Sequence, residues 1–164
     1  MKTSDIGISL IKNFESLHDG DLSEIGLQPK LDPIGIWTEG WGNAMRDSKG
    51  NFIRGIENKE LAYKNITIKT VEEADKRLLL ALEPRERIIE TKIKVALTQN
   101  QFDALISHLY NTGGSDTLYK LINTKAPIDK IKKFWTATYI TGGGVKLKGL
   151  IARRNAEANL YFTA

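Results

Sequence analysis

Residues 34–41 read Ile34-Gly35-Ile36-Trp37-Thr38-Glu39-Gly40-Trp41. The run is β-branched, aromatic and punctuated by glycine, which predicts a strand closed by a turn. Ser48-Lys49-Gly50-Asn51 reads as a second turn, and Phe52-Ile53-Arg54-Gly55-Ile56 as a second short strand. Residues 30–57 are therefore expected to form a small antiparallel sheet. By strand parity, Trp37 and Trp41 share one face.

Helical patterns lie on both sides. Upstream, Ser4 reads as an N-cap, and Ile6, Leu10, Ile11, Phe14 and Leu17 follow at helical spacing. A helix is expected over about 5–17, with Glu15 near its end beside Ile11 and Phe14. Residues 18–29 hold Gly, Asp and Ser and close at Pro29, as a loop does. Downstream, Thr70-Val71-Glu72-Glu73 is a capping-box pattern that opens an apolar face through Val71, Ala74, Leu78, Leu82, Ile88 and Ile89. Pro84 predicts a kink or a break in that helix. Thr98 opens another helix that ends at Gly113-Gly114. Shorter helices are expected at 116–122 and 127–139, a loop at Gly142-Gly143-Gly144, and a last helix at about 149–161.

The fold class is thus α+β, with a small antiparallel sheet lobe and a larger helical lobe. A cleft between the lobes is the default ligand site. The 164 residues suit one domain, with a sheet lobe over about 18–69 and a helical lobe over about 1–17 and 70–164.

Composition narrows the chemistry. The chain is 41% hydrophobic and 27% charged, enough for a core and a soluble surface. It has no cysteine, which excludes a disulfide scaffold and a Cys-ligated zinc. His18 and His108 are the only histidines and are not at a metal-ligand spacing, so no metal site is expected. The uncharged runs 6–11 and 134–145 are too short to cross a membrane, and no signal peptide is visible. Net charge is +4: residues 97–164 hold 9 Lys/Arg against 4 Asp/Glu, whereas residues 1–96 hold 15 against 16. The basic C-terminal part favours an anionic partner, and charge alone does not choose among nucleic acid, cell wall and membrane surface. Basic residues near Trp135 and Tyr139 could serve nucleic-acid stacking, but these aromatics fall at core spacing. The three glycines lack the Gly-Lys-Ser/Thr ending of a phosphate loop.

Glycoside hydrolysis needs one carboxylic acid to protonate the leaving oxygen and a second group to order a water or attack the sugar. Glu15, at the edge of an apolar stripe, suits the first role. Asp32, in a polar turn before Pro33, suits the second, and Thr38 could hold a water by its hydroxyl. On spacing alone the plainer reading is the usual one: a helix-end Glu in solvent, and an Asp that only makes a turn.

Longer motifs bear on that choice. They are Phe14-Glu15-Ser16-Leu17, Leu31-Asp32-Pro33, Gly35-Ile36-Trp37-Thr38-Glu39-Gly40-Trp41-Gly42, the segment Leu97 to Leu105, Tyr110-Asn111-Thr112-Gly113, and Gly149-Leu150-Ile151-Ala152-Arg153-Arg154-Asn155-Ala156-Glu157. In this order they resemble the phage lysozymes of glycoside hydrolase family 24 over nearly the whole chain. The resemblance implies a lysozyme-like fold and cleavage of the β-1,4 bond between N-acetylmuramic acid and N-acetylglucosamine, without a cofactor. It implies Glu15 as general acid, Asp32 and Thr38 as the pair that positions the attacking water, and inversion at the anomeric carbon. Trp37 and Trp41, on one strand face by parity, are candidates for stacking on sugars or equally for core packing. Asn111, at a helix end where Asn often only caps, becomes a candidate glycan contact in the family context. Arg153 and Arg154 read either as surface charges paired with Glu157 or as cations reaching the Glu15 helix. Glu39 reads as a third cleft carboxylate or a solvent-facing one.

Two departures from the family pattern stand out. An insertion over roughly 18–28 lengthens the loop after Glu15 and carries Asp19, Asp21 and Glu24, so Glu24 competes with Asp32 as second carboxylate. Asn43 stands where the family commonly has His. The implied setting is a monomeric phage endolysin that acts on peptidoglycan, waits in the host cytoplasm before lysis, binds no nucleic acid and inserts in no membrane. The rival classes are a lytic transglycosylase and an inactive glycan-binding module.

Overall fold

A computed structural model describes residues 1–21 and 23–163. The chain folds as two compact units. One, the sheet unit, is Glu15–Ala81; the other, the helical unit, is Met1–Phe14 with Leu82–Ala164.

In the sheet unit, β1 (Lys30–Leu31), β2 (Trp37–Glu39) and β3 (Asn43–Ala44) form an antiparallel sheet in the order β1-β2-β3. Lys30 lies opposite Thr38, and Leu31 opposite Trp37. The expected strand at 52–56 is present only as single bridges, Ile36 to Arg54 and Arg46 to Phe52. The turn at 48–51 is tied by Asp47, whose Oδ1 accepts the amides of Lys49 and Asn51, both at 2.9 Å. A 3-10 turn (Ile56–Asn58) and helix α2 (Lys59–Lys64), neither of which the periodicity showed, complete this region.

Two apolar clusters hold the unit. Trp37, Met45, Ile53 and Ala62 form one, with Leu31, Tyr63 and Ile66 packed on it. Leu27, Ile68 and Ala74 form the other, with Leu17 and Trp41. Ala74 belongs to helix α3 (Val71–Lys92), so the first half of that helix joins the sheet unit and moves the boundary from the expected 69/70 to 81/82. The capping box that opens α3 is formed: the Glu73 amide donates to Thr70 Oγ1, and the Thr70 amide to Glu73 Oε2, both at 3.2 Å.

Pro84 does not break α3. Its missing N–H leaves the carbonyl four residues back, on Leu80, without a helical donor. Both residues are exposed, so solvent is at hand for that carbonyl.

The helical unit contains α1 (Asp5–Glu15) up to Phe14, α4 (Gln99–Thr112), α5 (Asp116–Asn123), α6 (Ile128–Ala137) and α7 (Lys148–Phe162). α7 packs on both α4 and α6. Thr98 and Gln101 form a reciprocal capping box on α4, a device worth about 1 kcal/mol. α1 ends two residues earlier than expected, because Ser16 turns to φ 57. Ser4 takes the N-cap position: its carbonyl accepts the Ile8 amide at 2.9 Å as the first intrahelical bond, while its hydroxyl donates to Asp103. The glycine segment is a hairpin, not a loop. β4 (Thr141–Gly142) pairs with β5 (Val145–Lys146) around Gly143 and Gly144, whose φ values of 56 and 81 suit a two-residue turn.

Among the described residues no helix is long and apolar enough to cross a membrane, and no cluster of His, Cys, Asp and Glu could hold a metal ion.

Candidate active site

Glu15 is the last residue of α1 and is half-buried. Its carboxylate lies directly over the backbone of Gly42. A Cβ on Gly42 would sit 2.7 Å from Glu15 Oε2 and 3.4 Å from Cδ. Gly42 also has φ +83, a conformation that side-chain-bearing residues rarely adopt. Two independent reasons thus require glycine there, and the close approach places Glu15 against the strand region.

Asp32 is fixed by its own turn. Its Oδ1 accepts the amides of Ile36 at 2.7 Å and Ile34 at 3.0 Å, and its own amide donates to the Ile36 carbonyl at 2.8 Å. The turn reading of Asp32 is therefore correct, but it occupies only one carboxylate oxygen. Oδ2 accepts no hydrogen bond among the described residues. Residues 15–18 and 30–33 line a single cavity of about 310 Å³, so Glu15 and Asp32 share one concave site within the sheet unit.

Glu24 does not join them. It is exposed and absent from the cavity lining. Part of the 18–28 loop, Leu22, lies outside the described residues. The rest is pinned locally: the Gly20 amide donates to the Gln28 carbonyl at 3.0 Å, and the Leu27 amide to the Lys69 carbonyl at 2.7 Å. Asp19 Oδ1 accepts the Gln28 amide at 3.3 Å, and Asp21 Oδ1 the Ser23 amide at 3.0 Å, so both carboxylates organise the loop.

Thr38 is on the same face as Asp32 but covered, at 4% exposure. Its hydroxyl donates to the Ile36 carbonyl at 3.2 Å, the same carbonyl that Asp32 engages. Asp32 and Thr38 are braced through Ile36, and Thr38 does not line the cavity.

The tryptophans separate, contrary to the parity argument. β2 ends at Glu39, and Gly40 turns the chain at φ 56. Trp37, 3% exposed, lies edge-on to Tyr63 and donates through Nε1 to the Gly55 carbonyl at 2.7 Å. The core consumes both its faces, so it is not a sugar platform. Trp41 is half-buried and donates to Asp75 Oδ1 at 2.7 Å.

Glu39 corrects both of its readings. It is 3% exposed, and its carboxylate accepts the amides of Thr67 at 2.9 Å and Ile68 at 3.0 Å, the Thr67 hydroxyl at 2.5 Å and the Asn43 amide at 3.3 Å. It ties the segment before α3 to the sheet. Asn43, in the commonly His position, serves that anchor. The signal was available: Glu39 is two residues from Trp37 and so in phase with a core side chain.

The arginines of α7 are not surface charges. Arg153, Arg154 and Glu157 are 2%, 0% and 0% exposed. Glu157 Oε1 accepts from Arg153 Nε and an Arg154 terminal nitrogen, both at 3.1 Å, and from the Ser107 hydroxyl at 2.8 Å. Trp135 Nε1 donates to Oε2 at 3.2 Å. Arg153 also stands 5.8 Å from the Phe14 ring, so one arginine does reach α1. Asn111 is exposed and accepts from Arg154 at 2.7 Å, which orients its side chain from within the helical unit.

A larger cavity of about 650 Å³ lies along α5 and α6, lined by apolar groups, threonines and lysines. It holds no carboxylate and cannot supply the acid that glycoside hydrolysis needs.

Comparison with known proteins gives the class of the chain. The phage lysozyme family model matches residues 23–157. An endolysin of Acyrthosiphon pisum secondary endosymbiont phage 1 is 30% identical over 170 residues, which cover 100% of each chain. An endolysin of Bacillus phage B103 is 29% identical over 99% of this chain and 55% of its own length, so the chain spans about half of that longer relative. Among solved structures, the endolysin from Escherichia coli O157:H7 phage FAHEc1 superposes with a TM-score of 0.69 at 29% identity, over 99% of this chain and 94% of the other. The muramidase domain of SpmX from Asticaccaulis excentricus does so with a TM-score of 0.70 at 25% identity, over 99% of each. The α+β arrangement with its small sheets is the lysozyme fold, and the chain is a glycosidase of the lysozyme class. It belongs to the phage lysozyme family.

Proposed function

We propose that this lysozyme hydrolyses the β-1,4 bond between N-acetylmuramic acid and N-acetylglucosamine in bacterial peptidoglycan, as a phage endolysin that lyses the host. Glu15 protonates the glycosidic oxygen as the bond to the anomeric carbon breaks. Asp32 takes a proton from the water that attacks the opposite face of that carbon, and the configuration inverts. Thr38, braced to Asp32 through Ile36, is the second member of the water-positioning pair. Trp41 and Asn111 contact the glycan. No cofactor enters the reaction, because two carboxyl groups suffice for both proton transfers.

One observation carries this reading. Glu15 and Asp32, on separate segments of chain, line the same cavity, while the competing Glu24 does not. Inversion requires the two carboxyls to stand about 6.5–9.5 Å apart, leaving room for a water. The protein acts as a monomer on the cell wall, after a wait in the host cytoplasm. Its basic residues meet the anionic wall, and nucleic acid and membrane insertion play no part.

The product tests the reaction class. Mass spectrometry of muropeptides released from purified sacculi should show reducing ends with one added water. Anhydro ends would assign a lytic transglycosylase instead, and no release would leave a glycan-binding module.

A further inference from the structure

We propose that Lys30 reads the substrate's charge, pairing its ammonium with a carboxylate carried on the lactyl side arm of muramic acid. This rests on the catalytic reading above.

Lys30 lines the cavity that holds Glu15 and Asp32. The register puts it there. Lys30 lies opposite Thr38, and Leu31 opposite Trp37, so Leu31 points with Trp37 into the apolar cluster. The alternate residues, Lys30 and Asp32, then share the other face with Thr38. A one-residue slip would turn the Lys30 side chain toward the apolar cluster that Leu31 now packs on, so the cation's outward placement is set by this pairing.

The cation is not spent inside the protein. Two carboxylates line the same cavity, yet Lys30 forms no ion pair with either among the described residues. Its side chain is exposed on an edge strand, with a four-carbon reach and three donors. An unpaired ammonium beside the reacting groups complements an anionic substituent.

Peptidoglycan offers one where a neutral polymer of N-acetylglucosamine offers none. The lactyl ether ends in a carboxylate, or in an amide to a stem peptide that carries carboxylates of its own. Both sources present the same chemistry at the same arm of the sugar.

The test uses the full chain and three substrates: sacculi with intact stems, strands stripped of stems by an amidase, and both after amidation of their carboxylates. Wild type, Lys30→Gln and Lys30→Arg are compared, with Glu15→Gln alongside. Lys30→Gln should raise apparent KM roughly five-fold on charged substrate with little change in kcat, the scale of one partly exposed ion pair. Lys30→Arg should restore most of it, and high salt or amidation should close the gap between variant and wild type. A gap on stemmed sacculi alone identifies a stem carboxylate; a gap on stripped strands identifies the lactyl carboxylate. An equal loss on amidated and charged substrates, or no loss on either, would overturn the proposal. Undiminished activity of Glu15→Gln would instead overturn the catalytic reading, whatever Lys30 does.

Discussion

Each unit holds a glutamate that is at least half-buried, and the two differ in what they face. Glu157 in the helical unit is fully buried and saturated by two arginines, a serine and a tryptophan. Glu15 in the sheet unit is half-buried, pressed on a glycine, and opens on a cavity beside Asp32. A carboxylate held by every available donor contributes structure. One that faces a cavity can exchange a proton with a ligand. Sequence spacing alone does not tell these two glutamates apart.

The sharpest way to break the contrast is to exchange activity for stability at each site. Glu15→Gln should lower the lysis of permeabilised cells by about 10²–10⁴-fold, the usual worth of a general acid, while its melting temperature stays near that of wild type. Glu157→Ala should do the reverse. It takes the carboxylate away from two buried guanidinium groups and should lose about 3–5 kcal/mol of unfolding free energy by denaturant titration.

His108, close to the Glu157 cluster, makes a pH prediction. It is fully buried, edge-on to Trp135 and Tyr139, and burial with help from Arg154 and Arg153 pulls its pKa down to about 3. The unfolded chain protonates this ring below its ordinary value near 6.5, and the folded chain does not until about pH 3. The unfolded state thus binds more protons across that window, and stability falls on acidification by about 1.4 kcal/mol per pH unit. Denaturant titrations at pH 7.5 and 4.5 should differ by roughly 3 kcal/mol from this ring. His108→Phe should flatten that part of the slope. A slope unaffected by the substitution would remove His108 as its source.

Two smaller effects test the sheet unit. Gly42→Ala should reduce activity about 10–100-fold, since its Cβ displaces Glu15 Oε2 and small misplacements of reacting groups are costly. Glu39→Gln should cost about 1–3 kcal/mol of stability, by putting an amide donor against the backbone donors of Thr67 and Ile68. Its activity per folded molecule should stay near wild type, which separates this anchoring carboxylate from the pair in the cavity.

What could be read in advance follows from range. Helix starts and ends are local chemistry: the Thr70–Glu73 box formed as its spacing implied, and Thr98 opens its helix as expected. The sheet was legible, but its strands are only two or three residues long, so a parity argument from Trp37 to Trp41 crossed a break at Gly40. The hairpin at 141–146 was hidden because exposed strands without an apolar face have no period to detect. Burial of Arg153, Arg154 and Glu157 depends on α4 and α6 closing around α7, a long-range fact, although the spacing of Arg154 to the buried Ala158 and Tyr161 carried a trace of it. Glu15 and Asp32 were legible as residues, and their meeting in one cavity was not, because it depends on how the 18–28 loop returns.

That meeting is most directly tested by the rival second carboxylates. Asp32→Asn and Glu24→Gln should be assayed together on purified sacculi, by release of reducing ends from equal amounts of folded protein. The account predicts a loss of about 10²-fold or more for Asp32→Asn and near wild-type rates for Glu24→Gln. A mild Asp32→Asn beside a severe Glu24→Gln would contradict it.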